Sequence, residues 1–149
     1  MRLALAQINP LVGDLKGNSK IILDACRQAT KERANLLLTP ELSLWGYPPR
    51  DLLMQPSLLN EQHKILDDIA KTIAIESIDL KVLIGIAEPT NDHHLPRLFN
   101  AIVLIDKSGW KVVARKQLLP SYDVFDEKRY FRPAEALEAL NIEINHKQW

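Results

Sequence analysis

The residues of this sequence that are best placed for chemistry follow short apolar runs. Glu41 follows the run at residues 35–39 with only Pro40 between them, and Trp45 and Tyr47 come after it. A carboxylate at the carboxyl end of a buried strand stands where α/β sheets bind ligands, and the two rings would supply aromatic walls. The alternative is structural, with Glu41 capping a turn or pairing with Arg50.

Two further candidates lie later in the chain. Lys116 ends an apolar run, and a lysine at a strand terminus can stabilise negative charge that develops in a transition state. The alternative is an ordinary solvated lysine, since most lysines are exposed. Residues 122–131 mix charged and aromatic side chains without helical periodicity, which favours a functional loop. The alternative there is a charged surface loop pinned by its aromatic residues.

Cysteine and histidine are assigned no catalytic role. The single cysteine, Cys26, falls on an apolar stripe, so we expect a buried and inert thiol. His93 and His94 stand in a polar stretch without further ligands at metal-binding spacing, so we predict no metal site. The five glycines are too scattered for a phosphate-binding loop.

Strands and helices alternate in the first half of the chain. Apolar runs predict strands over residues 2–8, 35–39 and 80–87, and we interpret the first as a central strand buried on both faces. Residues 98–105 and 110–116 flank a turn signal and predict a β-hairpin, and a weak alternation over residues 140–144 predicts a last strand.

Two helices complete the predicted elements. Apolar spacings of three and four predict a helix over residues 18–34, capped by Asn18 or Ser19. A second helix begins at Pro56 and runs to about residue 75, with Gln62 interrupting its apolar stripe. The order predicts an α/β fold with a mixed sheet, whose second face needs another sheet to cover it.

Composition narrows the class of protein. The 149 residues carry 19 Lys plus Arg against 19 Asp plus Glu, and 46% of them are hydrophobic, which indicates one domain with a core. The zero net charge argues against a nucleic-acid partner, and no run of about 18 apolar residues predicts a membrane span. With one cysteine and no signal peptide, we expect a cytoplasmic protein.

Several segments resemble a known family in sequence, order and spacing. Three resemble the nitrilase, or carbon–nitrogen hydrolase, superfamily: Ala4-Leu5-Ala6-Gln7, Leu38-Thr39-Pro40-Glu41-Leu42 and Lys116-Gln117-Leu118-Leu119-Pro120. Two longer segments, residues 46–53 and 120–131, are similar to the glutaminase domains of glutamine-dependent NAD synthetases.

The resemblance implies a fold and a set of site residues. The fold is a nitrilase-like α-β-β-α sandwich, with residues 1–149 forming its N-terminal half and the synthetase domain absent. Glu41 and Lys116 correspond to two members of a Glu-Lys-Cys triad, and we expect them to meet at the carboxyl ends of neighbouring strands. Glu127 corresponds to an accessory glutamate near the lysine. Tyr122 corresponds to an aromatic residue that binds glutamine, and Tyr47 is our second candidate for substrate binding.

The resemblance also implies partners. Glutamine is the substrate, and ammonia passes to a synthetase domain that uses ATP, Mg²⁺ and deamido-NAD in a parent enzyme expected to be a homo-oligomer. No cofactor is expected in residues 1–149.

The nucleophile is the point at which the sequence departs from the family. The resemblance places the cysteine in a strand-to-helix turn that would follow Trp149, and Cys26 precedes Glu41 in the chain. We therefore expect an inactive N-terminal fragment of a glutamine amidohydrolase domain. The alternatives are a half-domain of another nitrilase-family amidase, or a non-enzymatic nitrilase-like module that binds a partner or small molecule.

Overall fold

A computed structural model describes residues 1–76, 78–90, 95–136, 141–144 and 147–148. Strands and helices alternate in the first half, as predicted, and a hairpin follows them. The strands are β1 (Leu3–Leu5), β2 (Leu36–Leu38), β3 (Lys81–Pro89), β4 (Leu98–Asp106), β5 (Gly109–Arg115), β6 (Glu143–Ile144) and β7 (Lys147–Gln148). The helices are α1 (Leu15–Lys31), α2 (Pro56–Ile75) and the single turn α3 (Glu127–Tyr130), with a 3₁₀ turn at Arg50–Met54.

The first five strands form one mixed sheet in sequence order. β1, β2 and β3 are parallel, whereas β3, β4 and β5 pair antiparallel. The predicted hairpin is confirmed, and Asp106 stabilises its turn because its carboxylate accepts a hydrogen bond from the backbone N–H of Ser108 at 2.8 Å. β5 therefore runs in the same direction as β2, so both strands end at the same edge of the sheet.

Both long helices pack on one face of this sheet. Strand residues alternate between the two faces, and those on the helix side are fully buried. They include Leu37, Val82, Ile84, Val103 and Ile105. The helices contribute their predicted apolar stripes to the same core, among them Ile22, Cys26, Ile65, Leu66, Ile69 and Ile73.

The opposite face, here called the open face, carries Leu3, Leu5, Leu38, Leu83 and Ile102. Leu3 is 47% and Leu5 is 66% exposed. The prediction that residues 2–8 form a central strand buried on both faces is therefore wrong. β1 spans three residues at the edge of the sheet, and the helices cover only its other face.

A small second cluster lies on part of the open face. Ile142 and Ile144 pack with Leu36 and the partly buried Leu83. β6 and β7 form a separate two-stranded sheet, and β6 lies within the strand predicted over residues 140–144, of which residue 140 lies outside the described residues. The described residues thus form one layer of helices on a five-stranded sheet, together with a separate two-stranded sheet.

The start of α1 differs from the prediction. Asp14 is the N-cap, with its side chain accepting a hydrogen bond from the N–H of Gly17 at 2.8 Å, so Asn18 and Ser19 lie inside the helix. Asn18 is buried, and its amide is satisfied because it donates to the carbonyl oxygens of Leu11 and Leu44. α2 has the bounds expected from the sequence. Within the described ranges, no helix has the length and apolar character needed to cross a bilayer.

Candidate active site

Glu41 is presented by a tight turn that follows β2. The hydroxyls of Thr39 and Ser43 lie 2.6 Å apart, and the N–H of Ser43 donates to the carbonyl oxygen of Pro40 at 3.1 Å. Thr39 also donates to the carbonyl oxygen of Leu83 on β3 at 3.0 Å. These bonds hold the turn against the neighbouring strand. They involve residues before and after Glu41, so they fix its position.

Gly85 allows this turn to cross β3 at close range. A Cβ at Gly85 would lie 2.3 Å from the backbone nitrogen of Leu42 and 3.0 Å from the carbonyl oxygen of Pro40. Leu42 itself has a φ of 48°, in the left-handed region that a leucine rarely adopts. The absence of a side chain at Gly85 thus lets the turn carry Glu41 across β3 toward β4.

Gln62 anchors the far end of the same loop. Its side-chain oxygen accepts a hydrogen bond from the indole N–H of Trp45 at 2.6 Å, and its amide nitrogen donates to the carbonyl oxygen of Ala87 at 2.7 Å. Both Gln62 and Trp45 are fully buried. The polar residue that interrupts the apolar stripe of α2 therefore ties this helix to β3 and to the Glu41 loop, and Trp45 belongs to the core.

Lys116 follows β5 and joins Glu41. Its Nζ lies 2.7 Å from Oε1 of Glu41 and 3.0 Å from Oε2 of Glu127. The predicted proximity of the three side chains is confirmed, and the simpler interpretations of Glu41 as a partner of Arg50 and of Lys116 as a solvated lysine do not describe these contacts.

One detail of the predicted arrangement is wrong. β2 and β5 are not neighbours, because β3 and β4 lie between them. Three strand spacings of about 4.8 Å separate their axes. The Glu41 turn shortens this distance by crossing β3 at Gly85, and the long side chain of Lys116 spans the remainder.

Glu127 reaches the cluster because the segment after Lys116 returns to the sheet. The N–H of Glu127 donates to the carbonyl oxygen of Pro120 at 3.2 Å, and Phe131 forms a parallel bridge with Leu98 at the start of β4. Glu127 is 4% exposed, and its Oε2 has no hydrogen-bond partner other than the ion pair with Lys116 among the described residues. A buried carboxylate of this kind depends on the lysine for its charge compensation.

The two carboxylates determine the protonation of the lysine. Burial lowers the pKa of Lys116, but its hydrogen bonds to Glu41 and Glu127 outweigh that effect and raise the pKa above its ordinary value. The ammonium therefore stays charged throughout the neutral range.

The two tyrosines proposed for substrate binding lie in different environments. The hydroxyl of Tyr47 donates to Oε1 of Glu127 at 2.8 Å, and burial together with this bond raises the pKa of Tyr47. Tyr122 is 69% exposed and packs edge-on against Phe125, with 5.5 Å between the ring centroids. The structure thus places Tyr47 in the charged cluster and Tyr122 at the surface beside it; a role for either in substrate binding stays a prediction.

Asn100 is a member of the site that the sequence analysis missed. It lies in β4, it is 5% exposed, and its side-chain amide donates to Oε1 of Glu41 at 2.5 Å. The available signal was a single amide inside an otherwise apolar strand, which requires a hydrogen-bond partner when buried.

A cavity of about 320 Å³ opens beside these groups on the open face of the sheet. Glu41, Asn100 and Lys116 contribute its polar wall, and Leu83 and Ile102 contribute to its apolar wall. A cavity with an apolar lining and a few convergent polar groups is the usual form of a small-molecule site.

Cys26 lies outside this site, as predicted. It lies in α1 and is fully buried, and burial raises the pKa of its thiol to about 12. A thiol with such a pKa is protonated at neutral pH, which is typical of a buried structural cysteine. His93 and His94 lie outside the described residues. Within the described residues, no group of three or more His, Cys, Asp or Glu side chains is arranged to hold a metal ion.

The amino-acid sequence matches the family model described as carbon-nitrogen hydrolase over residues 2–144. Over 142 residues the chain is 41% identical to the glutamine-dependent NAD(+) synthetase of Synechocystis sp., an alignment that covers 91% of this chain and 24% of that protein. The chain spans about a quarter of the length of the curated relatives it matches.

Solved structures have the same fold. The glutamine-dependent NAD+ synthetase from Acinetobacter baumannii, in complex with ADP, gives a TM-score of 0.82 at 30% identity over 98% of this chain and 26% of that chain. A mutant of the amidase from Nesterenkonia sp. AN1, with acrylamide added at its active site cysteine, gives a TM-score of 0.73 at 25% identity over 99% of this chain and 55% of that chain. These similarities confirm the predicted nitrilase-like α/β fold, of which this chain contains a part.

Proposed function

This chain belongs to the carbon–nitrogen hydrolase family, and from that premise we propose that residues 1–149 form the N-terminal part of a glutamine amidohydrolase domain that supplies ammonia for NAD synthesis. The observation that carries the proposal is the position of Lys116, whose ammonium lies between Glu41 and Glu127 at one edge of the sheet. The similarity to glutamine-dependent NAD(+) synthetases supports glutamine as the substrate.

The proposed chemistry gives each of the three charged groups a defined role. Glu41 accepts the proton of a cysteine thiol, and the resulting thiolate attacks the side-chain amide carbon of glutamine. The ammonium of Lys116 stabilises the negative charge that forms on the amide oxygen. Glu41 then returns the proton to the departing nitrogen, which leaves as ammonia, and water hydrolyses the thioester to glutamate. Glu127 holds Lys116 in place during these steps.

The nucleophile in this proposal comes from outside the 149 residues. The burial of Cys26 and the raised pKa of its thiol support this assignment, because both disfavour the thiolate. The active site cysteine named for the related amidase supports a thiol in this role. We therefore expect that a polypeptide of these 149 residues forms no covalent intermediate and does not hydrolyse glutamine.

The wider enzyme is part of the same proposal. A synthetase domain would use ATP, Mg²⁺ and deamido-NAD together with the ammonia, in a parent that is a homo-oligomer. These groups would bind beyond the residues described here, and none of the steps above depends on them.

The test compares the 149-residue chain with a chimera in which the Synechocystis sp. synthetase supplies everything after residue 149. Ammonia release from glutamine is measured for both proteins. We expect turnover by the chimera only, with loss of about 10³-fold or more in kcat for Glu41→Gln and for Lys116→Met. Cys26→Ala is the matched control and retains the activity of the chimera.

Three results would overturn this proposal. Turnover by the 149-residue chain that disappears in Cys26→Ala would make Cys26 the nucleophile. A chimera that hydrolyses short aliphatic amides but not glutamine would favour the alternative of another amidase, which the similarity to the Nesterenkonia sp. enzyme supports. A folded chimera that hydrolyses neither class would favour a non-enzymatic binding module.

A further inference from the structure

Asn100 contacts both of the residues proposed to act on the substrate. Its side-chain amide donates to Oε1 of Glu41 at 2.5 Å, and its backbone carbonyl oxygen accepts a hydrogen bond from the N–H of Lys116 at 2.8 Å. Asn100 lies within the antiparallel ladder of β4, opposite Ala87 on β3. A regular strand thus fixes its backbone, so its side chain reaches Glu41 from a rigid support.

The carboxylate of Glu41 is held asymmetrically. The amide of Asn100 and the ammonium of Lys116 both donate to Oε1, and among the described residues no donor reaches Oε2. The side chain of Glu41 is 44% exposed, so Oε2 remains accessible to another partner. Two donors that converge on one oxygen define the plane of the carboxylate, which a single donor does not.

We propose that Asn100 is a positioning residue, which holds Oε1 of Glu41 so that Oε2 is the oxygen that takes the proton from the thiol and returns it to the leaving ammonia. This inference rests on the proposed function, because it assigns a role within the same amide hydrolysis. It concerns a neutral residue that acts through Glu41.

A neutral amide is suited to this role for a physical reason. Lys116 is shared between Glu41 and Glu127, and its charge is needed for the oxyanion that develops during the reaction. If Lys116 moved toward that oxyanion, Glu41 would lose one of its two donors at Oε1. The amide of Asn100 does not carry charge or titrate, so it keeps Glu41 oriented at each stage of the proton transfer.

The first experiment detects the contact in the 149-residue chain and needs no activity. In a ¹⁵N-labelled sample, the side-chain amide protons of Asn100 are followed in Glu41→Gln and in Glu76→Gln. Glu76 is the control because its carboxylate pairs with Arg27, at a distant ion pair. We expect the Asn100 amide signals to shift and to exchange faster with solvent in Glu41→Gln only. Equal and small changes in both variants would overturn the proposal.

The second experiment measures the consequence in the chimera. Asn100→Ala is expected to lower kcat about 10- to 100-fold with little change in KM, because a misoriented base impairs the chemical step and leaves substrate binding intact. Asn100→Asp keeps the size of the side chain, replaces the donor by an acceptor that repels Glu41, and is expected to be at least as impaired. Asn35→Ala is the matched control, since Asn35 precedes β2 and accepts a hydrogen bond from the backbone of Arg2 at the other end of the sheet.

The two experiments separate the two proposals. If the chimera with native Asn100 is inactive, the proposed function fails, and the amide signals of Asn100 still decide whether it orients Glu41. If the chimera is active and Asn100→Ala changes KM alone or changes nothing, the positioning role is wrong while the proposed function stands. If Asn100→Ala does not fold, Asn100→Asp provides the same comparison.

Discussion

At the scale of single residues, one ammonium compensates two carboxylates. Lys116 is the only lysine or arginine in the described part of the chain that pairs with Glu127, and the hydroxyl of Tyr47 adds a neutral donor to the same carboxylate. A buried carboxylate that loses one donor must either bind water or carry an uncompensated charge, so each donor has a measurable effect on stability.

Tyr47 and Tyr122 provide a paired test of this network. Tyr47→Phe removes the donor to buried Glu127 and is expected to lower the free energy of unfolding by about 1–2 kcal/mol. Tyr122→Phe removes a hydroxyl from an exposed side chain and is expected to change that free energy by less than about 0.5 kcal/mol. Urea unfolding of both variants at pH 7 checks the difference, and equal losses would show that the Tyr47 hydroxyl adds nothing to the cluster.

At the scale of elements, the β4–β5 hairpin has its own charged anchor at the end remote from the site. Asp106 accepts hydrogen bonds from Ser108 and pairs with Lys81 of β3 at 2.9 Å. Burial raises the pKa of Asp106, but the bonds from Ser108 and Lys81 outweigh burial and lower that pKa to about 2. The hairpin is thereby tied to the strand that carries Gly85, over which the Glu41 turn passes.

The lowered pKa of Asp106 predicts a pH dependence of stability. An unfolded aspartate titrates near pH 3.9, so Asp106 stabilises the folded chain above about pH 4 and loses this effect as the pH falls toward about 2. Asp106→Asn is expected to cost about 1 kcal/mol at pH 7, and this cost should vanish near pH 2.

Unfolding by urea across pH 2–7 measures this effect. Asp68→Asn is the matched control, because Asp68 forms an exposed ion pair with Lys71 that contributes less than about 0.5 kcal/mol. A cost of Asp106→Asn that is constant with pH would contradict the prediction.

At the scale of the whole molecule, both long helices of the described residues pack on the same face of the sheet. Leu37 packs under the helices, whereas Leu5, in the neighbouring strand, faces the other way and is mostly exposed. The core therefore derives its stability from the helix side, and the open face presents apolar side chains to solvent around the cavity beside Glu41 and Lys116.

Alanine substitution of the two leucines tests this one-sided core. Leu37→Ala is expected to cost about 2–5 kcal/mol, the usual range for a buried leucine. Leu5→Ala removes a side chain that is already in water and is expected to cost less than about 0.5 kcal/mol. Thermal unfolding of the 149-residue chain compares them. A cost of Leu5→Ala close to that of Leu37→Ala would mean that the open face is covered in solution.

The amino-acid sequence by itself determined the alternation of strands and helices, the bounds of α2 and the position of the hairpin. These features depend on local patterns: a period of two or 3.6 residues, a proline at a helix start, and polar residues at a turn. Glu41, Lys116 and Glu127 could be selected from their motifs. A resemblance to a family identifies which residues correspond to the family's site residues, and this needs no structure.

Only the tertiary structure decided which side chains meet and which faces are covered. It placed β1 at the edge of the sheet and the Glu41 turn across Gly85. It also formed the hydrogen bonds of Gln62 with Trp45 and of Asn100 with Glu41, which join residues 17 and 59 positions apart. An apolar run has the same pattern at the edge of a sheet as at its centre, and the sequence does not distinguish a buried amide that orients a carboxylate from one that anchors a helix. The partner of such a residue is set by the order of the strands and by the layer packed on them, which no local pattern encodes.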